Sequence, residues 1–255
     1  MIIDTHAHTL DAKFDSDRNK VLQRAKDAGV DMIFEIACEV GEWPAALEFS
    51  KRDNIYAAYG IHPLEVENYK PEDLTVLETY LKDDKCIAIG EIGLDYHYDS
   101  GARKEEQKAL FIKQLAIAKK LNKLVILHCR DAYEDMFEII KNYSFKGVLH
   151  CFLGNRTQAK MFTDLGFLIG ITCPVTYPKS DELRKVVSET DISKILIETD
   201  CPYLPPQTKR GQRNEPAYVV EALKAVAEIK ELPYEEAAKI TRKNAVDLFL
   251  KQRNT

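Results

Sequence analysis

Two histidines one residue apart, His6 and His8, stand in the opening run IDTHAH (Ile3–His8). In a β-strand, successive side chains alternate between faces, so Asp4, His6 and His8 would share one face and two imidazoles would converge on one spot. Neutral imidazole is a common metal ligand. Taken alone, His-Ala-His equally fits two exposed or internally satisfied histidines. Glu91 in GEIGLD and Asp200 in IETDCP each follow an apolar run, where a carboxylate is costly to bury unless it meets a cation. That cation could be a lysine or arginine; with histidines nearby it could be a metal, and Glu91, with two oxygens, could bridge two ions. His128 (LHCR) and His150 (LHCF) end similar apolar runs. Four histidines and two carboxylates exceed what one tetrahedral ion needs. They suit a two-metal centre, one ion taking His6 and His8 and the other His128 and His150, with the carboxylates shared. Paired ions activate water and stabilise the oxygens of a phosphoryl displacement. Mixed nitrogen and oxygen donors suit Zn²⁺, Mn²⁺ or Fe²⁺, whereas Mg²⁺ prefers oxygen shells.

Other groups could surround such a centre. Arg130 follows His128 closely, and Lys209, Arg210 and Arg213 lie in QTKRGQRN beyond Asp200. Guanidinium groups hold phosphate bidentately, although this loop could also be a solvated charge run. Tyr96, His97 and Tyr203 could stack on a base or simply pack, packing being the better reading for His97. Asp4 and Glu198, two residues before His6 and Asp200, fall one layer deeper by strand alternation, as partners that orient ligands or as a buried ion pair. Alternation turns Cys129 and Cys151 away from the histidines they follow, so neither counts as a ligand.

Short apolar runs must position these groups. Eight strand candidates, Met1–His8, Asp31–Ala37, Ile55–His62, Cys86–Gly93, Leu124–His128, Gly147–Phe152, Phe167–Cys173 and Ile195–Asp200, alternate with amphipathic helical stretches. The clearest helix is Ala102–Leu121, a further helix carries Val219, Leu223 and Val226, and Pro233 opens a last one running towards Phe249. This rhythm predicts parallel βαβ units, and eight of them in about 250 residues predict a (β/α)₈ TIM-like barrel. Five of the six histidines, together with Glu91 and Asp200, then fall at C-terminal strand ends, the face on which barrel active sites are built. No linker or repeat interrupts residues 1–255, so one domain with an extra C-terminal helix is expected.

The 255 residues carry a formal charge of −5, and 45% are hydrophobic. That composition excludes disordered, coiled-coil and collagen-like chains, and it does not suit broad electrostatic gripping of nucleic acid. No apolar run is long enough to span a membrane, and the polar start is unlike a signal peptide. The six cysteines are scattered singly and read as reduced thiols of a cytoplasmic protein.

Together, IDTHAH, YGIHP (Tyr59–Pro63), IGEIGLDYHYD (Ile89–Asp99), LHCRDA (Leu127–Ala132), HCFLG (His150–Gly154) and IETDCPYLPP followed by RGQRNEP (Arg210–Pro216) resemble the TatD family of metal-dependent deoxyribonucleases, amidohydrolase-like barrels. The resemblance covers nearly the whole chain. It implies His6, His8, Glu91, His128, His150 and Asp200 as ligands of two divalent cations (Zn²⁺, Mn²⁺ or Mg²⁺). Glu91 would bridge them, Asp200 would contact the nucleophilic water, and His62 would face the substrate phosphate. The expected activity is 3′–5′ exonuclease action on DNA, on single strands or 3′ ends, with Asp200 and Glu91 catalytic and with His62, Arg130, Arg210 and Arg213 binding substrate. An amide or ester hydrolase, such as an aminoacyl-tRNA deacylase, is the alternative on the same site. A non-enzymatic metal-binding barrel is a third.

Overall fold

The computed structural model describes residues 1–98 and 103–251. Asp99 of the IGEIGLDYHYD motif and Ala102, the expected first residue of the long helix, lie outside the described residues. Eight strands run in chain order around one sheet: β1 Ile2–Ala7, β2 Val30–Ala37, β3 Ile55–Tyr59, β4 Cys86–Asp95, β5 Val125–Arg130, β6 Gly147–Leu149, β7 Leu168–Ile171 and β8 Ile195–Ile197. Each pairs in parallel with the next. A parallel bridge between Ala7 and Cys201 brings the first strand against the last, so the sheet curls into a nearly closed barrel.

Helices α1 (Arg18–Asp27), α2 (Trp43–Ser50), α3 (Asp73–Tyr80), α4 (Lys104–Lys120), α5 (Tyr133–Ile140), α6 (Arg156–Asp164), α7 (Asp181–Glu189) and α8 (Val219–Ile229) follow the strands. The last helix, α9 (Tyr234–Ala245), continues into a wider turn over Val246–Leu250. Strands covered on both faces must be apolar on both, and two apolar clusters result. The outer one joins strands to helices, for example Leu110, Phe111 and Leu115 of α4 against Ile89 and Leu127. The inner one takes Ile3, Phe34, Ile36, Ala58, Ala88, Ile126, Val148 and Leu196, with Ala245, Leu248 and Phe249 closing the end where the strands begin. The extra C-terminal helix is thus the floor of the barrel. Truncating the fully buried Phe249 to alanine would cost about 3–5 kcal/mol.

Several strands are shorter than their apolar runs. β3, β6 and β8 stop before His62, His150 and Asp200, because the chain leaves the ladder to build the upper face. Glu91 differs in the other direction. It lies inside β4, which runs on to Asp95, and not at its end. The register between β4 and β5 shifts between Ile89 and Ile92, around Glu91.

Candidate metal centre

His6 lies on β1 and His8 just past it; β5 carries His128 and Arg130. Strict alternation does not hold along β1. Ile3 belongs to the inner cluster and Ala7 to the outer one, and the register shifts between Asp4 and Ala7. This irregularity lets both imidazoles face the site while Asp4 turns to other partners. At Gly93, two residues after Glu91, any Cβ would lie 2.0 Å from the carbonyl oxygen of His128, so this glycine admits the backbone of the neighbouring strand.

Glu91 is the hub. Its Oε2 lies 3.2 Å from His6 Nε2 and 4.0 Å from His8 Nε2. Its Oε1 lies 2.5 Å from His128 Nδ1, 3.7 Å from His150 Nε2 and 3.8 Å from His62 Nε2. Asp200 Oδ1 lies 3.5 Å from His8 Nε2 and 3.7 Å from His150 Nε2. The two Nε2 atoms of His6 and His8 face each other at 3.3 Å, and the rings of His6 and His150 stack at 3.4 Å. Among the described residues four donor triads are compact enough to hold a cation: His6, His8 and Asp200; His6, Glu91 and His150; His62, Glu91 and His128; and His150, Cys151 and Asp200. All six ligands expected from the sequence therefore meet in one place.

The charges fit a cation. Burial by itself would raise the Glu91 carboxyl, yet His150, His128 and His6 hold it well below the usual carboxylate range. Asp200 is lowered in the same way: burial opposes, and His150 and His8 win. On His8, burial works against charge, but Asp200 and Glu91 push it up to about 10. His128 is pushed up to about 9 against its burial, by Glu91 and Asp95. Burial and the neighbouring His150 lower His6. A buried carboxylate ringed by imidazole nitrogens, with no ammonium or guanidinium among its ion-pair contacts in the described residues, is the donor chemistry of a divalent metal.

The outer contacts fix which nitrogen each ring presents. His8 Nδ1 lies 3.0 Å from the Ile36 carbonyl, which can only accept, so Nδ1 carries hydrogen and Nε2 faces inward. His128 Nε2 lies 2.9 Å from Asp95 Oδ2, leaving Nδ1 inward. His150 Nδ1 lies 2.9 Å from Glu198 Oε1, and Gly170 makes room for that carboxylate, since a Cβ there would meet it at 2.3 Å. Glu198 thus has the orienting place expected of it. Asp4 does not. Its carboxylate accepts from Thr199 N (2.9 Å) and Oγ1 (2.6 Å) and so braces main chain, not an imidazole. Burial pushes Asp4 up to about 8. His62 differs from the other rings, because its Nδ1 accepts from Leu64 N at 3.2 Å. The hydrogen must then sit on Nε2, and burial and His128 depress the ring to about 3, so His62 presents a neutral donor and not a ligand lone pair.

The cavity above this centre measures about 590 Å³. A larger groove of about 840 Å³ lies at the opposite end of the barrel, beside Cys86, Leu124 and Phe249, and no histidine lines it. Arg130 lines the metal-side cavity, with its guanidinium 4.8 Å from the ring centre of Tyr98. Tyr203 lines it too, half exposed at 48%. Arg210 and Arg213 are absent from its wall. Arg210 stacks over Tyr177 at 4.5 Å, and Arg213 is bound bidentately to Asp17 at 2.8 Å. Lys209 lies over Tyr218. Tyr96 donates to Asp135 and packs under Lys104, and His97 pairs with Asp131.

Cys151 corrects its expected orientation. β6 ends before it, and its φ of 44° breaks the alternation, so its sulfur lies in a compact group with His150 and Asp200. Asp95 and Tyr98 are among the residues that escaped the reading of the sequence, as are the cavity-lining acids Asp11, Glu39, Glu42 and Glu65. Asp95 touches His128, and strand period already placed it on the face of Glu91. Tyr98, 67% exposed, had no signal beyond its ring.

The profile of TatD related DNases matches residues 3–250. The chain belongs to the TatD family. This TatD barrel is 39% identical over 253 residues to the "uncharacterized metal-dependent hydrolase YabD" of Bacillus subtilis, covering 98% of this chain and 99% of the relative. It superposes on the crystal structure of the TatD homologue YjjV from Escherichia coli with a TM-score of 0.93 at 33% identity, covering 97% of each chain. A TatD family hydrolase from Entamoeba histolytica matches with a TM-score of 0.87 at 25% identity over 98% of each chain. No helix of the described residues is long and apolar enough to cross a membrane.

Proposed function

We propose that this TatD barrel is a metal-dependent hydrolase that removes nucleotides from DNA ends. The observation that carries this reading is Glu91, buried and shared between His6 on one side and His128 and His150 on the other, with Asp200 completing the ring. His6, His8, Glu91, His128, His150 and Asp200 would hold two divalent ions, of which Zn²⁺ and Mn²⁺ suit the donors better than Mg²⁺. Bound there, such ions polarise phosphoryl oxygens and acidify water.

The chain's own groups supply the rest. Asp200 is ionised and borders the cavity, where it accepts the proton of the attacking water. Asp95 and Glu198 keep His128 and His150 turned inward. The Nε2–H of His62 and the guanidinium of Arg130 both line the cavity and would stabilise the charge that grows on the phosphoryl oxygens.

The rim supports attack on an end. Among the described residues that line the cavity, Asp11, Glu39, Glu42 and Glu65 stand against the single guanidinium of Arg130. A polyanion laid across that mouth would meet carboxylates on the side of β1 to β3, whereas a terminal residue brings its chain past Arg130 alone. The 3′–5′ polarity is the family's. The same acids favour a second reading, because an aminoacyl ester offers them an ammonium group.

Incubation of 5′-labelled and 3′-labelled single-stranded deoxyoligonucleotides with Mn²⁺ distinguishes the two. The nuclease reading predicts stepwise shortening of the 5′-labelled strand and early loss of the 3′ label. Inert oligonucleotides with rapid hydrolysis of aminoacyl-tRNA would replace it with the second reading.

A further inference from the structure

The RGQRNEP segment contributes nothing to the cavity wall, yet its Asn214 is fully buried. The carboxamide nitrogen of Asn214 donates to three main-chain carbonyls: Thr199 at 2.9 Å, Tyr203 at 2.7 Å and Leu204 at 3.2 Å. Its oxygen accepts from Glu215 N at 2.9 Å, and its own N–H donates to the Pro202 carbonyl at 3.1 Å. These partners bracket the turn that carries Asp200. Asp200 and Leu204 both sit in the left-handed region, at φ 57° and 52°, which side chains other than glycine seldom adopt without outside support. The turn is tied to β1 and to His8 just past it through Asp200 N and Thr199 Oγ1 to the His6 carbonyl at 2.9 and 3.5 Å, His8 N to the Cys201 carbonyl at 2.8 Å and Asp4 on Thr199.

Asn214 is itself anchored from outside. Arg24 of α1 grips the neighbouring Glu215 with contacts of 2.6 and 2.8 Å, and Arg213 grips Asp17. Arg24 also reaches Asp17 at 3.2 Å. The two arginine pairs fasten residues 213 and 215 to α1 and to Asp17 at its start, and Asn214 between them reaches inward to the turn.

We propose that Asn214 is a positioning residue: it sets the turn over residues 199–204 so that the Asp200 carboxylate is held against His8 and His150. This rests on the metal-centred reading of Asp200 given above. A carboxamide suits the task because it supplies two N–H donors for carbonyls and one acceptor for an N–H. Aspartate has the same shape and lacks those donors.

Asn214→Asp is compared with wild type and Asp200→Asn. Mn²⁺ titration of the chelator-stripped proteins is followed by calorimetry, and oligonucleotide turnover is followed in parallel. Asn214→Asp is expected to bind Mn²⁺ about 10–100-fold more weakly, the range for residues that orient ligands from behind. Its kcat should fall with KM within about twofold, the pattern for a contact made in the transition state. A lower unfolding temperature with unchanged Mn²⁺ affinity and unchanged kcat would reduce Asn214 to a stability role and overturn the proposal. If Asn214→Asp does not fold, Arg24→Gln at the half-exposed surface loosens the anchor instead. A smaller shift in the same direction supports the proposal and no shift overturns it. Asp200→Asn separates the two levels. If it binds Mn²⁺ like wild type, the reading of the centre fails. If it weakens and Asn214→Asp does not, only the positioning role fails.

Discussion

Asp95 and Glu91, four residues apart on one strand, grip the two nitrogens of a single ring: Asp95 Oδ2 lies 2.9 Å from His128 Nε2, and Glu91 Oε1 lies 2.5 Å from His128 Nδ1. One strand therefore supplies both the hub of the centre and the group that orients its neighbour. Asp95→Asn keeps the shape and removes the charge, and Mn²⁺ affinity should fall about 10–100-fold. Calorimetric titration reads this directly. Unchanged affinity would mean that Asp95 does not orient His128.

Protons compete with metal at these ligands. His8 is raised to about 10 and His128 to about 9, so both hold their protons at neutral pH, and both must lose them to ligate. Mn²⁺ binding at pH 7 should therefore release protons, and affinity should rise with pH until about 9 to 10 is passed. Titrations in two buffers of different ionisation enthalpy count the protons. A count of zero would contradict protonated His8 and His128 in the metal-free protein.

The acidic rim sets a sign for charge removal. Glu39→Gln together with Glu65→Gln should lower KM for an oligonucleotide several-fold at low salt, and the gain should fade towards about 0.15 M ionic strength, where screening acts within about 8 Å. For an aminoacyl ester the same pair should raise KM. Steady-state kinetics at two salt concentrations separate these outcomes.

Asp17 links pH to stability. Arg213 and Arg24 hold its carboxyl down to about 2, below the usual value near 4. A carboxyl lowered on folding stabilises the fold above the unfolded pKa, and that contribution is lost as pH falls through the folded one. Asp17→Asn should thus lower the unfolding temperature at pH 7, and the difference should close between about pH 4 and pH 2. A difference that persists at pH 2 would show that the pair is not its source.

Much of the barrel and its centre was legible in the sequence. Eight apolar runs marked the strands, because strands covered on both faces cannot hide their pattern. The six donors were recognisable because His6, His8, His128, His150, Glu91 and Asp200 each end or interrupt such a run. Less legible was how the chain leaves the ladder. The shift around Glu91, the irregularity between Asp4 and Ala7 and the left-handed turns at Cys151 and Asp200 depend on neighbouring strands. Period-two reasoning therefore misplaced Asp4 and Cys151. Charge on Arg210 and Arg213 suggested phosphate, but whether a guanidinium is free depends on partners distant in sequence, such as Asp17.

Metal-restored cleavage puts the proposed two-ion centre to the sharpest trial. Protein stripped with chelator and resupplied with Mn²⁺ or Zn²⁺ is incubated with a 5′-labelled single-stranded deoxyoligonucleotide, beside Glu91→Ala and Asp200→Asn. A ladder shortening from the 3′ end is expected, appearing only with metal and lost in both variants. Full turnover by folded Glu91→Ala and Asp200→Asn, or cleavage by the stripped wild type without metal, would show that this centre does not carry the reaction.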